Sequence, residues 1–196
     1  MSQKFEEIVK QEIDELFVNL NMTDINRAKT LILESEDTGG RVHITGIGKS
    51  SYVAGYIASL LSSTGTPSYF LDGTEAVHGS SGQVNKGDVV VAISNSGETK
   101  ELLNTVNTLK ENGAVIIGVS KSKESSLSKM SDVSLCTITK NEGDYLNKPP
   151  RVSVIKQTLL LQELTLKLQE EKGLTARTYV KWHPGGSIGE SLKSSI

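Results

Sequence analysis

A single cysteine, Cys136, rules out an internal disulfide framework, and one thiol offers no clustered ligand spacing for a metal. It sits in the apolar run Val133-Ser134-Leu135-Cys136, the setting of a buried, inert thiol. Positive charge is not in excess: 21 Lys and Arg against 23 Asp and Glu leave a formal net charge of -2. A total so balanced argues against a nucleic-acid partner. Uninterrupted apolar sequence long enough to cross a bilayer is missing, and Met1 to Lys10 is charged where a signal peptide would be apolar. No redox cofactor is expected: Gly46-Ile47-Gly48 lacks the full glycine spacing of a dinucleotide fingerprint and is too short for a nucleoside-triphosphate loop. Internal repeats, low-complexity tracts and interdomain linkers are also missing. The expectation is a soluble cytoplasmic protein with one globular domain, for which 196 residues at 36% hydrophobic content supply a sizeable core.

What is present changes character at Gly39-Gly40. Before it, Phe5, Ile8, Val9, Ile13, Leu16, Phe17 and Leu20 recur at helical steps. A second helix is expected over about 23–36, starting at a Thr/Asp cap and burying Ile25, Ala28, Leu31 and Ile32. Residues 1–36 therefore read as a helical arm that packs on the domain or on a partner subunit, and 37–196 as the domain itself. From Arg41 onward, short β-branched runs alternate with helical patterns. Strands are expected at 42–45, 67–71, 88–94, 114–120 and 133–138, and a long helix over 152–172 ending at Gly173. That alternation predicts right-handed βαβ crossovers. The expected fold is a three-layer αβα sandwich around a five-stranded, mainly parallel sheet.

Ligands of such sheets collect beyond the carboxyl ends of the strands, where helix amino termini expose free N–H groups. Two junctions have that character, Thr45-Gly46-Ile47-Gly48-Lys49-Ser50-Ser51 and Ser94-Asn95-Ser96-Gly97-Glu98-Thr99. The first can also be read as a glycine turn capping a helix. The second is more specific: hydroxyls and an amide, packed into six positions after a buried strand, suit the three oxygens of a phosphate monoester.

Together with Ser63-Thr64-Gly65-Thr66-Pro67-Ser68, Glu75-Ala76-Val77-His78-Gly79 and His183-Pro184-Gly185-Gly186, these runs resemble the sugar isomerase (SIS) family. The likeness is to its arabinose 5-phosphate isomerases, and it spans residues 30 to 190 in matching order. The resemblance implies an aldose–ketose isomerase that interconverts D-arabinose 5-phosphate and D-ribulose 5-phosphate through an enediol, without a cofactor. It implies phosphate contacts from Gly48, Ser50, Ser51, Ser94, Asn95, Ser96 and Thr99, and catalytic roles for Lys49, Glu98, Glu142 and His183. It puts His78 near the substrate as a residue able to capture inhibitory zinc; no metal is required.

The chemistry needs two proton-exchanging groups and a donor near the enediolate oxygen. Glu142, in the loop after the fifth expected strand, suits the base if that loop delivers it to the sheet edge; a solvated loop acid is the alternative. His183 can serve ring opening or proton transfer between O1 and O2, or be an ordinary surface histidine. Lys49 can stabilise an oxyanion. Glu98 can orient Lys49, share the acid–base work, or simply complement a helix dipole.

Two departures bear on sugar specificity. Pro149-Pro150-Arg151-Val152-Ser153-Val154-Ile155 has lost most hydroxyls of the family's segment and is followed by Lys156, and His78-Gly79 is followed by Ser80-Ser81 where an aspartate is usual. The chain resembles the short form lacking regulatory CBS domains. The amphipathic arm and the leucine-rich run 159–164 predict a homo-oligomer, a tetramer or dimer, in which His183 or His78 reaches across an interface. The other readings are an isomerase for another sugar phosphate, an amino-sugar-phosphate lyase, and a non-catalytic sugar-phosphate sensor.

Overall fold

The computed structural model describes residues 4–193; residues 1–3 of the expected arm and 194–196 of the expected domain lie outside the described residues. Two helices come first, α1 (Phe5–Val18) and α2 (Met22–Asp37). The start of α2 is set by Asn21, whose side chain accepts the Thr23 and Asp24 amides, and not by the Thr/Asp pair itself. Its buried face carries Ile25, Ala28 and Ile32, while Leu31 is only half-buried. On α1 the buried stripe is Ile8, Glu12 and Leu16. Phe5 and Phe17, placed on it by periodicity, are 45% and 51% exposed.

The sheet contains β1 (Val42–Gly46), β2 (Ser68–Asp72), β3 (Val89–Ile93), β4 (Val115–Ser120) and β5 (Val133–Cys136). All pairings are parallel and the spatial order is β2-β1-β3-β4-β5. Both faces are covered, which is why β1 and β3 are buried at every position. On one face lie α2, α3 (Lys49–Ser63) and α6 (Val152–Glu171), burying Ile57, Leu61, Leu160, Leu161 and Leu164 against Ile44, Val91 and Val119. On the other, α4 (Lys100–Glu111) and α5 (Ser126–Met130) bury Leu102, Val106, Leu109 and Leu127 against Val90, Ala92 and Ile116. The result is the expected three-layer sandwich. Leu160, Leu161 and Leu164 thus belong to its core, and the run 159–164 presents no large exposed side chain; Leu166, just beyond it, is 48% exposed.

Short elements that carry too few residues for a periodic signal were not expected: α5, two 3-10 turns (Ala76–His78 and Ser80–Gln83), α7 (Ala176–Trp182) and α8 (Gly186–Lys193). At the end of α6, Gly173 takes φ +58, the left-handed conformation that terminates a helix. Among the described residues, no helix is long and apolar enough to cross a membrane.

Candidate functional site

The chain leaves β1 for β2 on one side, and β3 for β4 and β5 on the other. The gap above β1 and β3 is therefore the topological switch point, where a crevice must open. Gly46 and Ile93 are register partners, so the turns after these strands rise side by side, on strands about 4.8 Å apart. Gly46 permits this closeness: a Cβ there would lie 2.9 Å from the Ser50 carbonyl carbon, in the first turn of α3. Gly48, at φ +63, caps α3 and turns its Lys49 and Ser50 toward the crevice.

The crevice is a cavity of about 250 Å³ lined by both turns, through Ile47, Lys49, Ser50, Ser94, Asn95, Ser96 and Thr99. The amino end of α6 closes it with Pro150, Ser153, Val154 and Gln157. The amino ends of α3, α4 and α6 therefore border one small space, and those of α3 and α4, which no side chain caps, offer free N–H groups to an anion. A larger hollow of about 490 Å³ lies beside the α1–α2 junction, lined by apolar Ile25, Leu135 and Leu160 and by polar residues that include the ion-paired Asp24 and Lys123. Buried polar atoms without partners, and not volume, mark the smaller one.

The Ser94–Thr99 turn is internally wired. The hydroxyls of Ser94 and Thr99 are 3.0 Å apart, the Gly97 amide donates to Ser94 Oγ at 3.1 Å, and the Glu98 amide donates to Ser96 Oγ at 3.1 Å. Gly97 has φ +69, and a Cβ on it would run into the Ser125 side chain, so the turn is seated directly on α5. Opposite, Ser50 Oγ is 3.4 Å from Gln157 Oε1. Asn95 Oδ1, Ser153 Oγ and Gln157 Nε2 are buried without a partner inside the protein. Ser153 and Gln157 are almost wholly enclosed, at 0% and 1% exposure, so a polar ligand here would satisfy groups otherwise costly to bury.

Several expected residues fall elsewhere. Glu98 does not turn to Lys49: its oxygens accept from the Ser126 amide at 2.8 Å and the Ser126 hydroxyl at 2.7 Å. The Ser126 hydroxyl, then its amide, hold the Glu98 carboxyl below its usual range at the start of α5. Ser51 donates to the Gly48 carbonyl at 2.6 Å and does not line the cavity. His78 is exposed in the first 3-10 turn, beyond β2 and outside the lining.

Glu142 is 6% exposed, and its Oε2 accepts the amides of Arg151 at 2.8 Å and Ser153 at 3.0 Å. Its carboxylate thus caps α6 next to the cavity wall. Arg151 pairs with Asp144, and Lys156 is fully buried; neither lines the cavity.

His183 is the largest displacement. Trp182 packs on Gly65, just past the carboxyl end of α3, whereas Lys49 opens that helix. A helix of 15 residues separates the two by about 22 Å. His183 stacks on Tyr179, with centroids 5.0 Å apart, and its Nδ1 is buried without a partner. Within one chain it cannot reach the crevice. Among the described residues, no group of three His, Cys, Asp or Glu could hold a metal ion.

Sequence reading missed Ile47, Pro150, Ser153, Val154 and Gln157 as lining residues. The signal for the α6 residues was their helical spacing: 153, 154 and 157 share the first turns of a helix that begins at the crevice, with Pro150 just before it.

Comparison with known proteins points the same way. A family model for the SIS domain matches residues 38–167. Arabinose 5-phosphate isomerase KdsD of Pseudomonas aeruginosa is 37% identical over 183 residues, covering 93% of this chain and 55% of that protein. KdsD of Yersinia pestis is 35% identical over 153 residues, covering 78% and 47%. The chain spans about half the length of the curated relatives it matches. A solved structure of an Escherichia coli CFT073 protein in complex with arabinose 5-phosphate superposes with a TM-score of 0.86 at 35% identity, over 92% of this chain and 94% of that one.

Proposed function

The chain belongs to the SIS domain family, and from that premise we propose that it is a sugar-phosphate aldose–ketose isomerase. Its substrates in this reading are D-arabinose 5-phosphate and D-ribulose 5-phosphate, interconverted through an enediol. The observation that carries the reading is the meeting of the β1 and β3 turns and the α6 terminus on one cavity of about 250 Å³, lined by buried polar groups without partners. The names of the KdsD relatives and the arabinose 5-phosphate bound by the similar structure supply the sugar.

Ser50, Ser94, Asn95, Ser96 and Thr99 hold the phosphoryl group, assisted by the free amides of α3 and α4. Lys49, which has no ion-pair partner among the described residues, offers positive charge to the enediolate oxygen. Glu142, whose carboxylate holds the Ser153 amide of the cavity wall, takes the C2 proton and returns it at C1. Glu98 acts at one remove, by seating the phosphate turn on α5. No redox cofactor enters, because the reaction is internal to the sugar.

His183 and His78 serve the site from a second copy, in a cytoplasmic homotetramer or dimer with residues 1–36 as a packing arm. Large exposed side chains support such contacts: Tyr52 on α3 is 80% exposed, and Tyr145 and Leu146 beside the Glu142 loop are 94% and 52% exposed. Light scattering on the intact protein should give a multiple of 21.1 kDa; a monomer at working concentration removes both histidines from the mechanism.

The direct test offers the protein a panel of sugar phosphates in deuterated water and follows the C2 proton by NMR. Washout with D-arabinose 5-phosphate is expected. Exchange with another sugar only would reassign the substrate, and binding without exchange would leave a sensor.

A further inference from the structure

We propose that Glu12 and Lys156 are a buried positioning pair, through which the amino-terminal helix holds the Glu142 loop in its working geometry. The inference rests on the reading of Glu142 as the base. Glu12 sits on the buried stripe of α1 between Ile8 and Leu16, at 4% exposure, and Lys156 is 0% exposed in the first half of α6. Glu12 Oε2 accepts from Lys156 Nζ at 2.7 Å, and Lys156 also donates to the Ile138 carbonyl. The other oxygen, Oε1, accepts the amides of Lys140 at 3.0 Å and Asn141 at 2.7 Å. The next residue is Glu142.

These bonds close a ring. Glu12 grips the loop at 140 and 141, Glu142 grips α6 at the Arg151 and Ser153 amides, and Lys156, one turn further along α6, returns to Glu12. Inside the loop, Asn147 ties the Glu142 amide at 2.7 Å to the Lys140 carbonyl at 3.0 Å. Stability alone is a poor reason for such a pair, because two well-packed apolar side chains hold buried surfaces together as well or better. An apolar pair cannot accept two adjacent loop amides and a cation at once. That trivalent acceptor fixes where residue 142 begins, and a displacement of about 1 Å at a base can cost about a hundredfold in rate.

Two double variants separate positioning from packing. Glu12→Leu/Lys156→Met removes the charges and the acceptor; Glu12→Gln/Lys156→Met removes the charges but keeps an oxygen for the loop amides. With D-arabinose 5-phosphate, the first should lose at least about tenfold in kcat with KM and inorganic phosphate affinity within about twofold, and the second should recover most of the loss. Hydrogen exchange should show slow Lys140 and Asn141 amides in the natural protein and in the Gln variant, and fast ones in the Leu variant. Equal kcat in all three proteins, or equal loss in both variants, overturns the proposal. So do fast amides in the natural protein, a measurement that stands even if the Leu variant fails to fold. A Glu142→Gln protein that turns over at full rate would instead remove the premise, and the positioning role with it.

Discussion

The two edges of the sheet treat buried polarity in opposite ways. At the amino edge, Asp88 is 2% exposed and fully employed, accepting the Arg41 amide at 2.9 Å, the Asn85 amide at 2.9 Å and the His43 ring at 3.1 Å. Lys172, at the far end of α6, is likewise shared among Glu36, the Gly65 carbonyl and Thr66. At the carboxyl edge, Asn95, Ser153 and Gln157 each keep a buried polar atom without a partner, and the uncapped amino ends of α3 and α4 border the same space. The amino edge pairs its buried charges, although His43 Nδ1 and His183 Nδ1 keep no partner there, while the carboxyl edge gathers its unpartnered groups around one cavity. A protein that stabilises itself at one edge can tolerate unmet hydrogen bonds at the other, and those are the groups a phosphorylated ligand can complete.

Paired substitutions test this division most severely. Glu142→Gln should slow C2-proton exchange at least about a hundredfold, the scale of a general base, while thermal stability and phosphate affinity stay near those of the natural protein. Asp88→Asn should do the reverse. Loss of a buried, triply bonded anion beside His43 should cost about 2–4 kcal/mol in denaturant unfolding, with sugar-phosphate affinity intact. If both variants lose activity and stability together, the edges are not separable.

Smaller effects sharpen the carboxyl side. Gln157→Leu removes the unpaired Nε2 at nearly constant volume; calorimetry should show sugar-phosphate affinity about tenfold weaker, the worth of a hydrogen bond to a charged group, with unchanged stability. Unchanged affinity would mean that α6 only walls the cavity. Glu98→Ala should weaken binding only severalfold, because its carboxylate acts through Ser126 on the seat of the turn. A loss as large as that of Glu142→Gln would show that Glu98 moves protons after all.

How much of this is legible in the sequence follows from what is local. Both cradle turns are continuous segments after apolar runs, so their residues and their sheet edge can be read directly, and so can the sandwich. Strand order cannot: nothing in Val89–Ile93 says that it pairs with β1 on the side away from β2. Side-chain partners across the chain are equally hidden. Ser126 lies 28 positions from Glu98, and Lys156 lies 144 from Glu12. The Glu12 signal was nonetheless present, as an acid between Ile8 and Leu16 on an apolar stripe. His183 could have been foreseen at the wrong edge, since α6 starts at the crevice and its 20 residues carry the chain about 30 Å back across the sheet.

The mildest effect is a pH dependence confined to the amino edge. His43 is 1% exposed on β1; burial pushes its pKa below the ordinary 6.5, and the hydrogen bond to Asp88 offsets that only in part. Around it, Asp88 is the facing anion, Arg41 the neighbouring cation, and the Tyr69 ring packs 5.9 Å away. Because the folded form binds this proton less readily than the unfolded chain, the stability tied to neutral His43 is fully present above pH 6.5. It is lost as pH falls from there through the lower folded value, at no more than about 1.4 kcal/mol per pH unit for one proton. His43→Gln, which cannot take up the proton, should flatten the acid limb of a denaturation profile below about pH 6.5 while phosphate affinity at neutral pH stays the same. An unaltered acid limb would move the sensitivity to other groups, and altered phosphate affinity would mean that the amino edge reaches the crevice through β1.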